Sequence, residues 1–262
     1  MPEAKIKALR PATTGDSPCK ICGAGTAPFG VVDFHKSCEE AHGRFLPSSA
    51  IPVHYRRCTA CGFLFTDGFD DWTEADFKGY IYNENYLAID PEYSLLRPAQ
   101  TARALADMFD KDKGRLRVLD YGGGDGTAAR LLLHAGFAAA QTYDVLTPPY
   151  DRLPEGRFEI VSCVETLEHL PDPLTGIAEI CRLVAEPGLA ILSTLIQPAD
   201  IERQKTNWWY LAPRNGHISL FSQRALALAF ERNGFRLHSF NDATHAAFRH
   251  VPDFARHLIP GC

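Results

Sequence analysis

Two clusters in this chain have residue types and spacings that could do chemistry. The first is Arg117-Val118-Leu119-Asp120-Tyr121-Gly122-Gly123-Gly124-Asp125-Gly126, a short apolar run entering a glycine turn and then a helix from Thr127 to Ala135. Gly122, Gly124 and Gly126 permit backbone angles and close approaches that a Cβ would block. The helix that follows starts with amide N–H groups lacking intrahelical partners, so the turn can hold the polar end of a ligand. A pyrophosphate is disfavoured: Asp120 and Asp125 would repel it, no Gly-Lys-Ser/Thr ending follows, and Thr127 stands where a dinucleotide fingerprint has its last glycine. Two carboxylates at such a turn suit a ligand with cationic groups, such as the amino group and sulfonium of S-adenosylmethionine.

The second cluster is a pair of matching units, Cys19-Lys20-Ile21-Cys22-Gly23 and Cys58-Thr59-Ala60-Cys61-Gly62. In each, the two-residue spacing lets both thiolates face one ion, and the glycine relieves the turn so that backbone N–H groups approach the sulfurs. Four thiolates make a tetrahedral Zn2+ site, closed and therefore structural. His35, Cys38, His42 and His54 lie between the pairs and could substitute as ligands, but the symmetry of the two knuckles favours Cys19, Cys22, Cys58 and Cys61. The usual spacings of iron–sulfur clusters are different.

The elements needed to position these clusters can be read along the chain. Phe29 to Phe34 and Ile51 to Arg57 have strand character with a turn at Pro47-Ser48-Ser49, which predicts a small zinc-stapled sheet. Met1 to Ser17 reads as a loose lead-in. A helix from Pro98 with Ala102, Leu105, Ala106 and Phe109 on one face precedes the glycine turn. After it come a Leu131-Leu132-Leu133 helix closing near Gly136, and a strand from Ala138 to Tyr143. Asp144 stands at the end of that strand, about twenty residues past the turn, where a carboxylate can accept from both ribose hydroxyls. Further strands are expected over Phe158–Cys163, Gly188–Thr194 and Phe235–Phe240, with helices from Pro173 and from the N-cap Ser222. Asn241 to Cys262 has weak periodicity.

Val118-Leu119-Asp120-x-Gly122-x-Gly124-x-Gly126 resembles the first motif of the class I S-adenosylmethionine-dependent methyltransferases. The resemblance covers about residues 98 to 240 and implies a Rossmann-like α/β sheet with helices on both faces, S-adenosyl-L-methionine as cofactor and methyl transfer as activity. One departure is plain: only thirteen residues, Val145 to Arg157, separate Asp144 from the next strand, where the family usually fits a helix and a strand. A sheet strand should be missing or reduced, and the adenine contacts are unassigned, with Leu146 and Tyr150 as substitutes. Glu165-Thr166-Leu167-Glu168-His169 followed by Pro171-Asp172-Pro173 resembles a segment of many small-molecule members. It implies Glu165 near the methionine portion and His169 on the acceptor side, as a proton-removing group. Gly216-His217 ahead of the helix start Phe221-Ser222-Gln223-Arg224-Ala225-Leu226 resembles a segment of similar methyltransferases, which implies His217 as the second catalytic candidate, as acid–base group or acceptor ligand. The tyrosines 80, 82, 86 and 93 with Arg97 resemble the lead helix that covers the methionine end of the cofactor in methyltransferases with a zinc knuckle, which implies Tyr86 and Arg97 as cofactor contacts.

These readings divide the chain into a zinc-binding module over 1–68, an aromatic linker over 69–97 and a cofactor-binding domain over 98–262, with a cap over 195–220 that carries Trp208 and Trp209. The zinc-plus-methyltransferase order resembles sugar and natural-product C- or O-methyltransferases, so the implied acceptor is a small polar metabolite of the sugar type. Three rivals stand beside it: an RNA methyltransferase using the zinc module as a reader, a non-catalytic binding protein that keeps the cofactor fold, and, least favoured by glycine spacing, an NAD oxidoreductase. The net charge of −5 argues against a nucleic-acid partner, and over residues 1–62 the excess of eight basic over five acidic side chains would be largely offset by the about two negative charges of a zinc ion held by four thiolates. The polar start with Pro2, Pro11 and Pro18, the lack of a long apolar run and the paired thiols fit a cytoplasmic, reducing setting with no membrane. The oligomeric state is left open.

Overall fold

The computed structural model describes residues 6–10 and 17–259. In chain order the elements are β1 (Thr26–Asp33), β2 (Pro52–Cys58), β3 (Leu64–Phe65), α1 (Glu74–Tyr80), α2 (Tyr86–Ile89) and α3 (Leu96–Met108), then β4 (Arg117–Tyr121), α4 (Thr127–His134), β5 (Ala139–Tyr143) and β6 (Phe158–Val164). They continue with α5 (Pro173–Leu183), β7 (Val184–Ser193), α6 (Ile201–Gln204), β8 (Ser219–Leu220), α7 (Gln223–Glu231), β9 (Arg236–Ser239) and β10 (Thr244–Phe248).

The larger sheet has the order β5-β4-β6-β7-β10-β9, with β5, β4, β6 and β7 parallel and β10 antiparallel to both its neighbours. Its strands alternate inward residues between two cores. Val118, Ile160, Leu189 and Ile191 face α3 and α4, whereas Leu119, Val161, Ala190 and Leu192 face α5 and α7. Helices therefore cover both faces, as expected, and the period-two pattern is what lets a mostly parallel sheet bury both sides. No strand forms between β5 and β6 among the described residues, so the sheet ends at β5 and the short Val145–Arg157 link simply crosses. The order reverses at β4, which places the crevice between the ends of β4 and β6, where open α/β sheets bind ligands.

Local signals set the helix boundaries. Asp172 caps α5 by accepting from Thr175 N–H at 3.2 Å with Pro173 in the first turn, and Ser222 caps α7 through Ala225 N–H at 3.0 Å. Strand β10 had no clear signal, because His245 breaks its apolar run. The ring is nonetheless fully buried, satisfied by Ser239 Oγ at 2.8 Å and Thr194 C=O at 3.1 Å. No helix among the described residues is long and apolar enough to cross a membrane.

A second sheet, β1-β2-β3-β8, is antiparallel throughout. Its fourth strand comes from the segment expected to cap the cleft, so the hairpin around the cysteines and that segment are one hydrogen-bonded unit. A third core joins them: Phe34 and Tyr55 from the hairpin side, Phe69, Trp72, Phe77 and Tyr86 from the aromatic stretch, and Trp208, Tyr210 and Ile218 from the cap. Part of the lead-in expected to be loose is docked on this core. Arg10 N–H donates to Gly68 C=O at 3.0 Å, Lys7 pairs with Asp76 at 2.9 Å, and Ile6 and Leu9 pack on the aromatic cluster. The correction has a simple cause: an apolar pair three residues apart found a surface that the lead-in alone does not reveal. The rest of that expectation, residues 1–5 and 11–16, lies outside the described residues, as does Cys262.

Candidate active site

The glycine turn hangs from the end of β5: Gly122 and Gly123 N–H both donate to Tyr143 C=O, at 2.7 and 3.2 Å. Gly122 has a φ of 78°, and a Cβ there would lie 2.3 Å from Thr166 Oγ1, so both its backbone angle and the loop after β6 require glycine. Asp120 lies beneath the turn, accepting from Ser162 Oγ at 2.9 Å, and a Cβ on Gly123 would sit 2.4 Å from its carboxylate. Burial pushes the Asp120 carboxyl up to about 6. Its outlet is a small cavity of about 160 Å³ that it shares with Gly122, Gly124 and Arg97. Asp144 is oriented by two backbone amides, Gly124 N–H at 3.0 Å and Leu146 N–H at 2.9 Å. A carboxylate accepts about four hydrogen bonds, which leaves lone pairs for two vicinal hydroxyls. Of the two adenine substitutes, Leu146 lines the main cavity, while Tyr150 packs over Gly126, where a Cβ would meet its ring at 3.0 Å.

That main cavity measures about 1150 Å³ and runs without interruption from Gly122 and Asp144 to His169 and His217. Tyr82, Tyr86 and Tyr93 line it as a chain of edge-to-face contacts, with ring centres 5.0 and 5.2 Å apart. Tyr80 turns away, onto Trp72. Arg97 is held in a two-pronged pair with Asp90, at 2.9 and 3.0 Å, and borders both cavities. Its remaining donors suit a carboxylate such as that of methionine.

Glu165 marks the midpoint. Its φ of 47° is unusual for a residue with a side chain, and such outliers concentrate at functional sites. Ser193 Oγ donates to it at 2.8 Å and Tyr210 Oη at 3.2 Å. Burial, then the neighbouring Glu168 carboxylate, pushes Glu165 up to about 8. Glu168 is wholly buried, also raised by burial, and accepts from Tyr210 Oη at 2.5 Å. His169 Nε2 is 4.0 Å from Glu168 Oε1, and the His169 and His217 rings are 5.0 Å apart. His217 Nδ1 bonds Tyr210 C=O at 2.8 Å, which fixes that nitrogen as the protonated one and leaves Nε2 with a lone pair. Burial lowers both histidines, so both imidazoles are neutral near pH 7. Gly216 makes this packing possible: a Cβ would fall 2.6 Å from Tyr82 Oη and 3.1 Å from His169 Nδ1. Ligand atoms of Glu168, His169 and His217 converge within 4.8 Å; Tyr210 engages Glu168 Oε1 and His217 Nδ1, while Glu168 Oε2 and His169 Nδ1 are buried without a hydrogen-bond partner.

Tyr210, Ser193 and Tyr55 were not singled out by sequence reasoning. Tyr210 stands in a run of aromatics with nothing to say which one turns inward, and Ser193 is one more small residue at a strand end. For Tyr55 the only trace is the inward alternation of Val53 and Tyr55 along β2.

The four cysteines of the two knuckles converge within 4.8 Å, with Sγ separations of 3.6 Å for Cys19–Cys61 and 3.5 Å for Cys22–Cys58. Zn–S bonds of about 2.3 Å in a tetrahedron put sulfurs about 3.8 Å apart, so the residues fit zinc. Gly23 and Gly62 both have φ of 76°, and amides of Ile21, Ala60 and Cys61 point at the sulfurs from 3.3 to 3.4 Å, the arrangement that offsets thiolate charge. His35, Cys38, His42 and His54 take no part: Cys38 instead faces the His217 ring at 3.8 Å.

Comparison with known proteins agrees with this geometry. A family described as "Methyltransferase domain" matches residues 93–239. Among curated proteins, the ubiquinone biosynthesis O-methyltransferase of Thiobacillus denitrificans is 37% identical over 67 residues, 26% of this chain and 29% of that protein. The Sodalis glossinidius enzyme of the same name is 32% identical over 92 residues, 35% of this chain and 36% of its own length. The chain thus spans about a third of these relatives. Among solved structures, magnesium protoporphyrin IX methyltransferase from Synechocystis with bound S-adenosylhomocysteine superposes with a TM-score of 0.45 at 16% identity, covering 58% of this chain and 83% of that one. The 1,6-didemethyltoxoflavin-N1-methyltransferase of Burkholderia thailandensis gives 0.45 and 16%, covering 67% and 84%. With its glycine turn, its strand order and the family match over residues 93–239, more than half its length, the chain belongs to the methyltransferase-domain family of class I S-adenosylmethionine-dependent methyltransferases.

Proposed function

We propose that the protein moves the methyl group of S-adenosylmethionine to a hydroxyl of a small, uncharged polar acceptor, a sugar or sugar-like metabolite. The single observation that carries this reading is the continuous cavity from Asp144 to the histidine pair. At about 1150 Å³ it exceeds the usual ligand pocket of ~300–1000 Å³, and so has room for a cofactor and an acceptor together. When bound, the cofactor supplies an electrophilic methyl carbon. Asp144 would hold the ribose hydroxyls, Glu165 the ammonium and Arg97 the carboxylate, with Asp120, Gly122 and Gly124 shaping the turn and Tyr86 available to the methionine end. His169 would accept the proton of the acceptor hydroxyl that takes the methyl group, and buried Glu168 would stabilise the imidazolium so formed, S-adenosylhomocysteine being the leaving group. His217 orients the acceptor. Closure by the tyrosines excludes water, which would otherwise compete.

The lining narrows the acceptor. Beyond the groups assigned to the cofactor, the cavity carries Glu39, Glu74, Glu92, Asp172 and Glu179 against Arg44 and Lys78. Such a surplus of carboxylates repels a phosphorylated or nucleotide-linked acceptor and equally a nucleic acid. Trp209 borders the cavity and is 43% exposed, offering a face on which a sugar ring can stack. The test is calorimetry with S-adenosylhomocysteine, followed by transfer from labelled S-adenosylmethionine into fractionated small molecules of a cell extract. Saturable binding and label in a neutral polar fraction are expected. Binding of NAD in place of the homocysteine product, or label only in RNA, would overturn the reading.

A further inference from the structure

We propose that Tyr55 is a positioning residue for His217, and that the cysteine-anchored hairpin thereby sets the acceptor end of the cavity while leaving the glycine turn and the ribose carboxylate alone. The inference rests on the methyl-transfer reading for what His217 does, though not for how His217 is held. Tyr55 projects from β2, three residues before Cys58, and is 1% exposed. Its hydroxyl donates to His217 C=O at 2.7 Å across 162 residues of sequence. His217 lies two residues before the start of β8, which pairs with β3 through Leu64–Leu220 and Phe65–Ser219, and Thr66 N–H adds a bond to Ile218 C=O at 3.1 Å.

The second knuckle holds the far end of the same strand. Ser222 Oγ donates to Cys61 C=O at 2.5 Å, and Gln197 Nε2 donates to Gly62 C=O at 2.8 Å and to Leu220 C=O at 2.9 Å. From the other side of the hairpin, Cys38 N–H donates to Asn215 Oδ1 at 2.9 Å, and Lys36 C=O accepts from Arg214 N–H at 3.1 Å. The unit then reaches the catalytic loop, because Ile218 N–H donates to Glu168 C=O at 2.9 Å and Ser219 Oγ to Leu170 C=O at 2.7 Å. Cysteines, Tyr55, His217 and the Glu168-His169 loop form one hydrogen-bonded chain. The glycine turn and the ribose carboxylate are fastened elsewhere, the turn to Tyr143, Asp120 to Ser162, and Asp144 to Gly124 and Leu146, whereas Tyr86 and Glu165 at the methionine end touch the cap through Asn215 C=O and Tyr210 Oη.

Leaving a buried carbonyl without its donor shifts a local equilibrium by at least about fivefold. Tyr55→Phe in the full, zinc-loaded chain removes that one donor and little volume. We expect hydrogen–deuterium exchange to quicken at least about fivefold over residues 208–220, and the His217 ring resonance to move while that of buried His245 stays. Exchange over residues 117–126 and the affinity for S-adenosylhomocysteine should hold within about twofold. Chelation under reducing conditions should produce the same regional pattern, larger. If Tyr55→Phe leaves residues 208–220 and the His217 resonance unchanged, or quickens residues 117–126 equally, the positioning role is refuted. Failure of the parent protein to bind S-adenosylhomocysteine would instead sink the methyl-transfer reading and leave the exchange result standing.

Discussion

At the end of the cavity proposed for the cofactor, backbone does most of the positioning: two amides hang the glycine turn on Tyr143, two more aim Asp144, and three consecutive residues supply the curvature. At the acceptor end side chains do it, drawn from the hairpin, the aromatic stretch, the loop after β6 and the cap, and held by contacts across as many as 179 residues. Backbone-built sites need only a short local motif and tolerate change around them. Side-chain-built sites need several distant segments to arrive together, and a structural metal is one way to hold such segments at little cost in sequence. The difference teaches that cofactor binding and acceptor chemistry should fail separately.

The sharpest way to break that contrast is at His169. His169→Ala should lower turnover by about 10²–10⁴-fold, the usual range for losing a general base, with little change in S-adenosylhomocysteine affinity. Equal turnover, measured with the acceptor recovered from extract, would dismiss the base assignment. Asp144→Ala is the converse. Two hydrogen bonds to a charged acceptor are each worth about 1.5–3 kcal/mol, so loss of even one in net terms weakens product binding by roughly ten- to a hundredfold in calorimetry. Zinc content should stay at one per chain. A parallel loss of zinc would mean that the two ends are not independent.

How far the sequence was readable follows the same division. The glycine turn, Asp144 and both knuckles lie in contiguous stretches whose spacing follows from local geometry, and each sits where its spacing implied. The short link after Asp144 also announced the missing strand correctly, because thirteen residues cannot hold a helix and a strand. The acceptor end was legible only as isolated residues. His169 and His217 could be named, but nothing in the chain says that their rings meet 5.0 Å apart or that Tyr210 ties one to Glu168. Pairing of β3 with β8 involves two residues on each side, too few for any periodicity. The docked residues 6–10 and buried His245 were missed for the same reason: tertiary partners, not local pattern, decide both.

Glu165, at the boundary between the ends, gives a pH test of intermediate size. Raised to about 8, it is protonated in the empty protein at pH 6, whereas a bound ammonium favours the carboxylate. Cofactor affinity should therefore rise as pH climbs from 6 toward 8, by at most about tenfold per unit, and level off above. Stability of the empty protein runs the other way. The unfolded group ionises near its ordinary value of 4.5 and the folded one only near 8, so the folded state binds more protons between them and loses stability as pH rises across that window. Glu165→Gln should flatten both profiles. A wild-type affinity that is flat from pH 6 to 8 would remove Glu165 from the ammonium site.

The smallest expected effect tests how tightly the hairpin holds the cap. Ser222 does two jobs with one oxygen, accepting from Ala225 N–H as the N-cap of α7 and donating to Cys61 C=O. Ser222→Ala removes both, and an N-cap alone is worth about 1 kcal/mol, which in a chain of this size lowers Tm by about 2–4 °C. If the bond to the knuckle carbonyl matters to the cap, exchange over residues 216–222 should quicken more than exchange along the rest of α7. If only the helix end is loosened, the change will run into α7 and leave β8 protected. In that case Tyr55, rather than the knuckle itself, is what ties the hairpin to His217.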